Sequence, residues 1–142
     1  MFEGECIYQT IVKADVERVW ELFQNPKYLE VLTAFPKINV LSGEHTAQNE
    51  VIHLSIDIGI QKMDWAAEIV EVKHPYLFVD KGIQMPFPFT YWKHEHSFQN
   101  WGEFTGITDR VNFSCKLPAF LMKSILKKMF QARAHAIKTQ FK

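Results

Sequence analysis

The stretch from Tyr91 to Phe113 constrains the chain most. With the period of two that a strand imposes, Trp92, His94, His96 and Phe98 share one face. Tyr91, Lys93, Glu95, Ser97 and Gln99 share the other, which is mostly what water tolerates. Asn100-Trp101-Gly102-Glu103 reads as a turn. The next strand sets Ile107, Asp109, Val111 and Phe113 against Gly106, Thr108, Arg110, Asn112 and Ser114. Faces that are otherwise apolar therefore carry three polar groups, His94, His96 and Asp109. Burying such groups is costly unless they are hydrogen-bonded.

The rest of the chain supplies neighbours for these two strands. Glu5 to Lys13 is β-branched and aromatic and reads as a strand. Asp15 is a good N-cap, and Val16, Val19, Trp20 and Phe23 follow at helical spacing. Asn25-Pro26 stops that helix, because proline cannot continue the hydrogen-bond ladder. Tyr28 to Ala34 reads as a second short helix, and Lys37 to Leu41 as a short strand. Val51 to Ile60 alternates, with Ile52, Leu54, Ile56, Ile58 and Ile60 expected inward and His53, Ser55 and Asp57 outward. Met63 to Lys73 is a strand with Trp65, Ala67 and Ile69 on its inner face. Leu77 to Gln84 is another, but its faces compete: Leu77, Val79 and Ile83 against Phe78 and Asp80. The loop Met85-Pro86-Phe87-Pro88-Phe89 is apolar and stiff, so it either folds over the core or guards an opening.

Pro118 opens a long helix, as proline does in a first turn. At about 100° per residue, Met122, Ile125, Leu126, Met129, Ala136 and Ile137 form an apolar stripe. Arg133 falls near the centre of that stripe. A buried guanidinium must find an acceptor.

The order is thus strand, two short helices, six strands and a long helix, within one domain spanning 1–142. Six consecutive strands at short spacing make an antiparallel meander, and one long amphipathic helix must cover a face of it. The twelve Phe and four Trp fill a large core or line a large cavity. Net charge is zero, but all sixteen acids lie at or before Asp109, and eight Lys/Arg follow it with no acid. That basic segment is read as a solvated helix face. Its basic residues are not interleaved with exposed aromatics, so nucleic acid is not expected as a partner. No apolar run approaches a membrane span and none reads as a signal peptide, so a cytoplasmic location is expected. Cys6 and Cys115 lack metal spacing and are read as reduced packing thiols.

Both the order of elements and local wording resemble the START/Bet v 1-type helix-grip superfamily, whose bacterial members are often labelled polyketide cyclase or SRPBCC ligand-binding proteins. The matching pieces are Asp15 to Trp20, Trp65 to Ile69, Phe78-Val79-Asp80, Trp92 to Phe98, Thr108 to Val111, and Phe130 with Arg133. The resemblance implies an α+β fold: a seven-stranded curved antiparallel sheet wrapped around the C-terminal helix, with an elongated hydrophobic cavity between them. It does not imply one activity, because the superfamily includes carriers, receptors and cyclases.

Several chemistries can be set against these residues. His94, His96 and Asp109 could offer two imidazoles and a carboxylate to a zinc ion. Two histidines alternating on a strand are common, however, so neither metal nor cofactor is expected. His94, His96, Asp109 and Arg133 could also serve a cyclisation or dehydration as acid, base and oxyanion holder. In the plainer reading Arg133 reaches Asp109, the histidines cap the pair, and the network locks the helix onto the sheet. Trp65, Trp92, Phe98, Ile56, Ile58, Met129 and Ile137, with His94, His96 and Arg133, are the candidate ligand contacts. The favoured reading is a non-catalytic binder of a hydrophobic small molecule. A cyclase- or dehydratase-like enzyme is the alternative.

Overall fold

Alternation along the strands and capping of the helices build one curved sheet closed by one helix. A computed structural model describes residues 1–142. Its elements are β1 (Phe2–Val12), α1 (Val16–Leu22), α2 (Tyr28–Leu32), β2 (Lys37–Ser42), β3 (Val51–Asp57) and β4 (Lys62–Lys73). They continue with β5 (Leu77–Gln84), β6 (Phe89–Trp101), β7 (Phe104–Cys115) and α3 (Ala119–Gln140). The sheet order is β1-β7-β6-β5-β4-β3-β2, all antiparallel. Strands β2 to β7 form the expected meander, and β1 joins it along β7. No helix is long and apolar enough to cross a membrane.

Local chemistry sets the boundaries. The Asp15 carboxylate accepts the Arg18 backbone N–H at 3.1 Å, which caps α1. That cap sends Trp20 and Phe23 into the sheet, where they meet the rings of Phe78 and Phe98. Register shifts between Ala66/Ala67 and between Ile69/Glu71 interrupt the β4–β5 ladder. Such irregularities bend the bulged strand and raise its twist, which helps a sheet curve around a helix. Cys6 and Cys115 are buried free thiols on the neighbouring strands β1 and β7.

Two expectations about orientation change in the structure, and one left open is decided. Ile60 points to water and is 94% exposed, because β3 ends at Asp57. A turn follows, in which Ile58 N–H donates to the Gln61 carbonyl and Gly59 sits at φ 92°, so the alternation does not run through it. The buried side of α3 is rotated from the expected stripe. Met122, Leu126, Phe130, Arg133, Ala134 and Ile137 are buried, whereas Ile125 is 57% exposed. The cause is β1, against which α3 lies: Tyr8 stacks on Phe130, with ring centroids 6.1 Å apart, and draws that edge of the helix inward. On β5, Phe78 and Val79 are both buried, which explains why its pattern is ambiguous. Phe78 stacks on His96 at 4.0 Å, so the Phe78/Asp80 face is the one turned to the interior.

The rotated helix face sets a stability test. Leu126→Ala is expected to lower unfolding free energy by about 2–5 kcal/mol, the usual cost of truncating a buried leucine. Ile125→Ala should stay within about 0.5 kcal/mol, as for an exposed position. Urea denaturation of both variants checks this, and equal losses would contradict the packing of α3.

Candidate functional site: a paired imidazole stack beneath an apolar cavity

Register places the polar cluster. Asp80 on β5 lies directly opposite His94 on β6, and His96 lies opposite Asp109 on β7. All four side chains therefore share the concave face within two pairing steps. Their shortest contacts run diagonally: His96 Nε2 to Asp80 Oδ2 is 2.8 Å, and His94 Nε2 to Asp109 Oδ1 is 2.8 Å. Long side chains can reach such diagonal neighbours. The direct partners are farther, at 4.0 Å for His94 Nδ1 to Asp80 Oδ2 and 3.4 Å for His96 Nδ1 to Asp109 Oδ1. Between the carboxylates the two imidazoles stack, centroids 3.6 Å apart and planes 24° from parallel. Phe78 covers the outer face of His96, and the edge of Phe130 meets His94.

Burial and pairing decide the charges. His96 is pulled down to about 4, first by burial and then by repulsion from His94, against the opposing pull of Asp80. It is neutral near pH 7. Burial alone would raise Asp80, but the His96 hydrogen bond and the neighbouring imidazoles hold its carboxyl below the ordinary range. Asp109 follows the same logic: burial raises it, and the His94 hydrogen bond, both imidazoles and Arg133 more than compensate. Burial also pushes the Tyr28 phenol upward, so it stays protonated.

Above the cluster lies a cavity of about 320 Å³, between the sheet and α3. This is at the lower end of the roughly 300–1,000 Å³ usual for small-molecule sites. Nineteen of its 27 lining residues are hydrophobic, so its body suits an apolar occupant. Ile56, Ile58, Trp65 and Trp92 line the sheet side, and Met129 and Arg133 the helix side. His94, His96 and Asp80 make its polar end. Phe98 and Ile137, expected as lining, are not: Phe98 packs into the Trp20–Phe23–Phe78 aromatic cluster, and Ile137 sits in the core beyond the cavity. Asp109 lies behind the histidines and does not reach the cavity wall. Residues Pro86 to Phe89 line the cavity. Phe89 packs on Trp65, Trp92 and Phe113, while Phe87 is mostly exposed. One loop thus both packs on the core and lines the cavity.

Arg133 departs from its expected role. It is 4% exposed, yet it makes no ion pair with Asp109, whose near oxygen is already engaged by His94. Its Nη2 donates instead to Thr33 Oγ1 at 3.0 Å, just after α2. Its Nε has no hydrogen-bond partner, and the guanidinium lies 5.6 Å from the Phe130 ring centroid. Asp80 is the site residue that the sequence leaves undecided. Its signal is present in Phe78-Val79-Asp80 but shared by two apolar faces.

No family model matches the chain, and no curated protein sequence matches it. Solved structures do. Ginseng major latex-like protein 151 from Panax ginseng is 17% identical, with a TM-score of 0.78 over 100% of this chain and 99% of that one. A START superfamily protein from Mycobacterium smegmatis is 13% identical, at 0.75 over 96% of each chain. The Zhui aromatase/cyclase from Streptomyces sp. R1128 is 13% identical, at 0.74 over 98% of this chain and 93% of that one. The chain has the helix-grip fold of START and Bet v 1-like proteins, with its seven strands, its two short helices after the first strand and its long C-terminal helix all in place.

The charge states predict an acid-sensitive core. Unfolded histidine binds its proton near pH 6.5, but His96 in the fold resists until about 4. Stability should therefore fall as pH drops from 6.5 toward 4, with a slope approaching one proton, roughly 1.4 kcal/mol per pH unit. The depressed carboxyls Asp80 and Asp109 add a further loss below their ordinary range, as they become protonated. Urea unfolding at stepped pH measures this. His96→Gln should flatten the first phase and shrink the second, because Asp80 and Asp109 both lose part of what holds their carboxyls down.

Proposed function

We propose that this protein binds a small molecule with an apolar body and an anionic oxygen at one end. The observation that carries the reading is Arg133: a buried guanidinium beside an apolar cavity, with one protein hydrogen bond and an unpartnered Nε. A buried donor left unpaired costs about 1–3 kcal/mol, and more when charged. A ligand carboxylate, enolate or phenolate at that end would satisfy it, while its apolar part fills the space between Trp65, Trp92 and Met129. The helix-grip fold supports the reading, since it leaves a gap between sheet and helix. The non-catalytic form is favoured because His94 and His96 each already hold a carboxylate at 2.8 Å.

A second reading has its own observation. His94, His96 and Asp80 face the cavity together, and a neutral imidazole oriented by a carboxylate is the usual form of a general base. Under this reading the occupant is a carbonyl compound that cyclises or loses water, and His96→Ala abolishes turnover with the fold intact. Under the binding reading the same variant changes affinity or stability alone.

Native mass spectrometry of the purified protein, followed by denaturing extraction, tests for an occupant directly. Paired probes test its head group. A fluorescent fatty acid should bind wild type about tenfold or more tighter than its methyl ester, matching about 1.5–3 kcal/mol for a hydrogen bond to a charged group. Arg133→Met should erase that preference while ester binding stays within a few-fold. Equal binding of acid and ester by the wild type would overturn the assignment of an anionic head.

A further inference from the structure

The short helix α2 brings two polar side chains to the end of the cavity where Arg133 lies, and only one of them is engaged. Thr33, just past the helix, accepts the Arg133 Nη2 proton at 3.0 Å. Tyr28, its first residue, lines the cavity together with Arg133 and is 8% exposed, yet its hydroxyl hydrogen-bonds no protein group. Two ties fix the phenol. Its ring meets the Phe23 ring with centroids 4.8 Å apart, and its backbone N–H donates to the Asn25 carbonyl at 2.9 Å. Leu32, fully buried, pins the other end of the helix. Tyr28 is thus a well-anchored, unspent donor on the wall of an apolar space.

The charge state of the phenol suits that use. Burial pushes it up, the Arg133 charge opposes this, and Asp80 and Asp109 add to it. The hydroxyl therefore keeps its proton across the range in which a carboxylic acid is ionised. Several other polar groups on the lining are already committed. Thr46 donates its hydroxyl to the Phe23 carbonyl, and the Nε2 atoms of His96 and His94 meet Asp80 and Asp109 at 2.8 Å. Tyr28 is not, and it shares one end of the cavity with the guanidinium whose Nε also lacks a partner.

We infer that Tyr28 is a specificity-determining residue of this site: its phenolic O–H and the Arg133 guanidinium hold the same anionic head group. The inference rests on the reading of Arg133 given above and adds the second donor. A carboxylate has two oxygens and about four lone-pair sites. On leaving water for the cavity it must have most of them met again by protein donors. Arg133 meets only part of that demand, since its Nη2 is given to Thr33. The phenol supplies a further hydrogen bond to the charge, of the strong, charge-assisted kind. Being neutral, it also adds no cation that Asp80, on the same lining, could draw away from the ligand. The pair selects an apolar carboxylic acid over its ester, amide or alcohol, which present no charge to either donor.

The test uses the full chain and two probes, a fluorescent fatty acid and its methyl ester. Tyr28→Phe should bind the acid about tenfold or more weaker than wild type, as for a lost hydrogen bond to a charged group, and the ester within about threefold. In an Arg133→Met background the same change should cost the acid no more than about threefold, because two donors to one group are coupled. The urea midpoint of the unliganded Tyr28→Phe protein should not fall, since the hydroxyl it loses has no protein partner. Unchanged acid affinity in Tyr28→Phe would overturn the assignment. So would equal losses for acid and ester, an undiminished loss in the Arg133→Met background, or a lower urea midpoint. The wild-type preference for acid over ester reads the Arg133 assignment by itself. Its absence sinks both readings, while a preference that Tyr28→Phe leaves intact sinks only the second donor.

Discussion

Four ionisable side chains on three adjacent strands rely chiefly on one another to replace the water they lose, and much of the fold is arranged around that requirement. Asp80, His94, His96 and Asp109 solve it by stacking the imidazoles and bracketing them with carboxylates. The solution works only at one register. A slip of a single residue along β6 would turn both histidines to the outer face and leave Asp80 and Asp109 as buried, unpaired anions. The ladders β5–β6 and β6–β7 are thereby held in place by chemistry as well as by turns. Phe78 and Phe130 keep the stack dry on two sides, and the aromatic cluster beneath α1 anchors Phe78 in turn.

The cavity and the cluster are consequences of the same shape. A curved sheet and a straight helix cannot touch along their whole length, and α3 is drawn to β1 at one side by the Tyr8–Phe130 stack. The space that opens on the other side is apolar where β3, β4 and α3 face each other and polar where the histidines end it. Arg133 stands at the boundary. Its one protein acceptor, Thr33, is a weak partner for a guanidinium, and its Nε has none.

Much of this could be read along the chain because strands and helices have fixed periods. His94, His96 and Asp109 turn inward as their alternation requires, and Val16, Val19 and Trp20 do so at helical spacing. What escaped depended on neighbours distant in sequence. Asp80 could not be assigned because Phe78 and Val79 both find cover, so β5 has no single polar face. The phase of α3 was shifted by a ring on β1. The partner of Arg133 lies beyond α2, and nothing in the spacing of residues links the two. Ile60 continues an alternating pattern in print but not in space, because Gly59 turns the backbone before it. Periodicity says which residues leave water; only the assembled fold says which of them meet.

The position of β1 has a consequence for how the site comes into being. Its only ladder is with β7, pairing Phe2 with Cys115 and Val12 with Thr105. The first strand therefore waits for nearly all the others before it gains a hydrogen-bonded neighbour, and closing so long a loop is slow. The meander β2–β7 can form from successive hairpins, but α3 has no β1 to lie against until that late pairing is made. The interior pocket is thus the last part of the molecule to be enclosed. Until then the imidazoles and their carboxylates stay open to solvent, so the cluster is desolvated only in the final step of assembly.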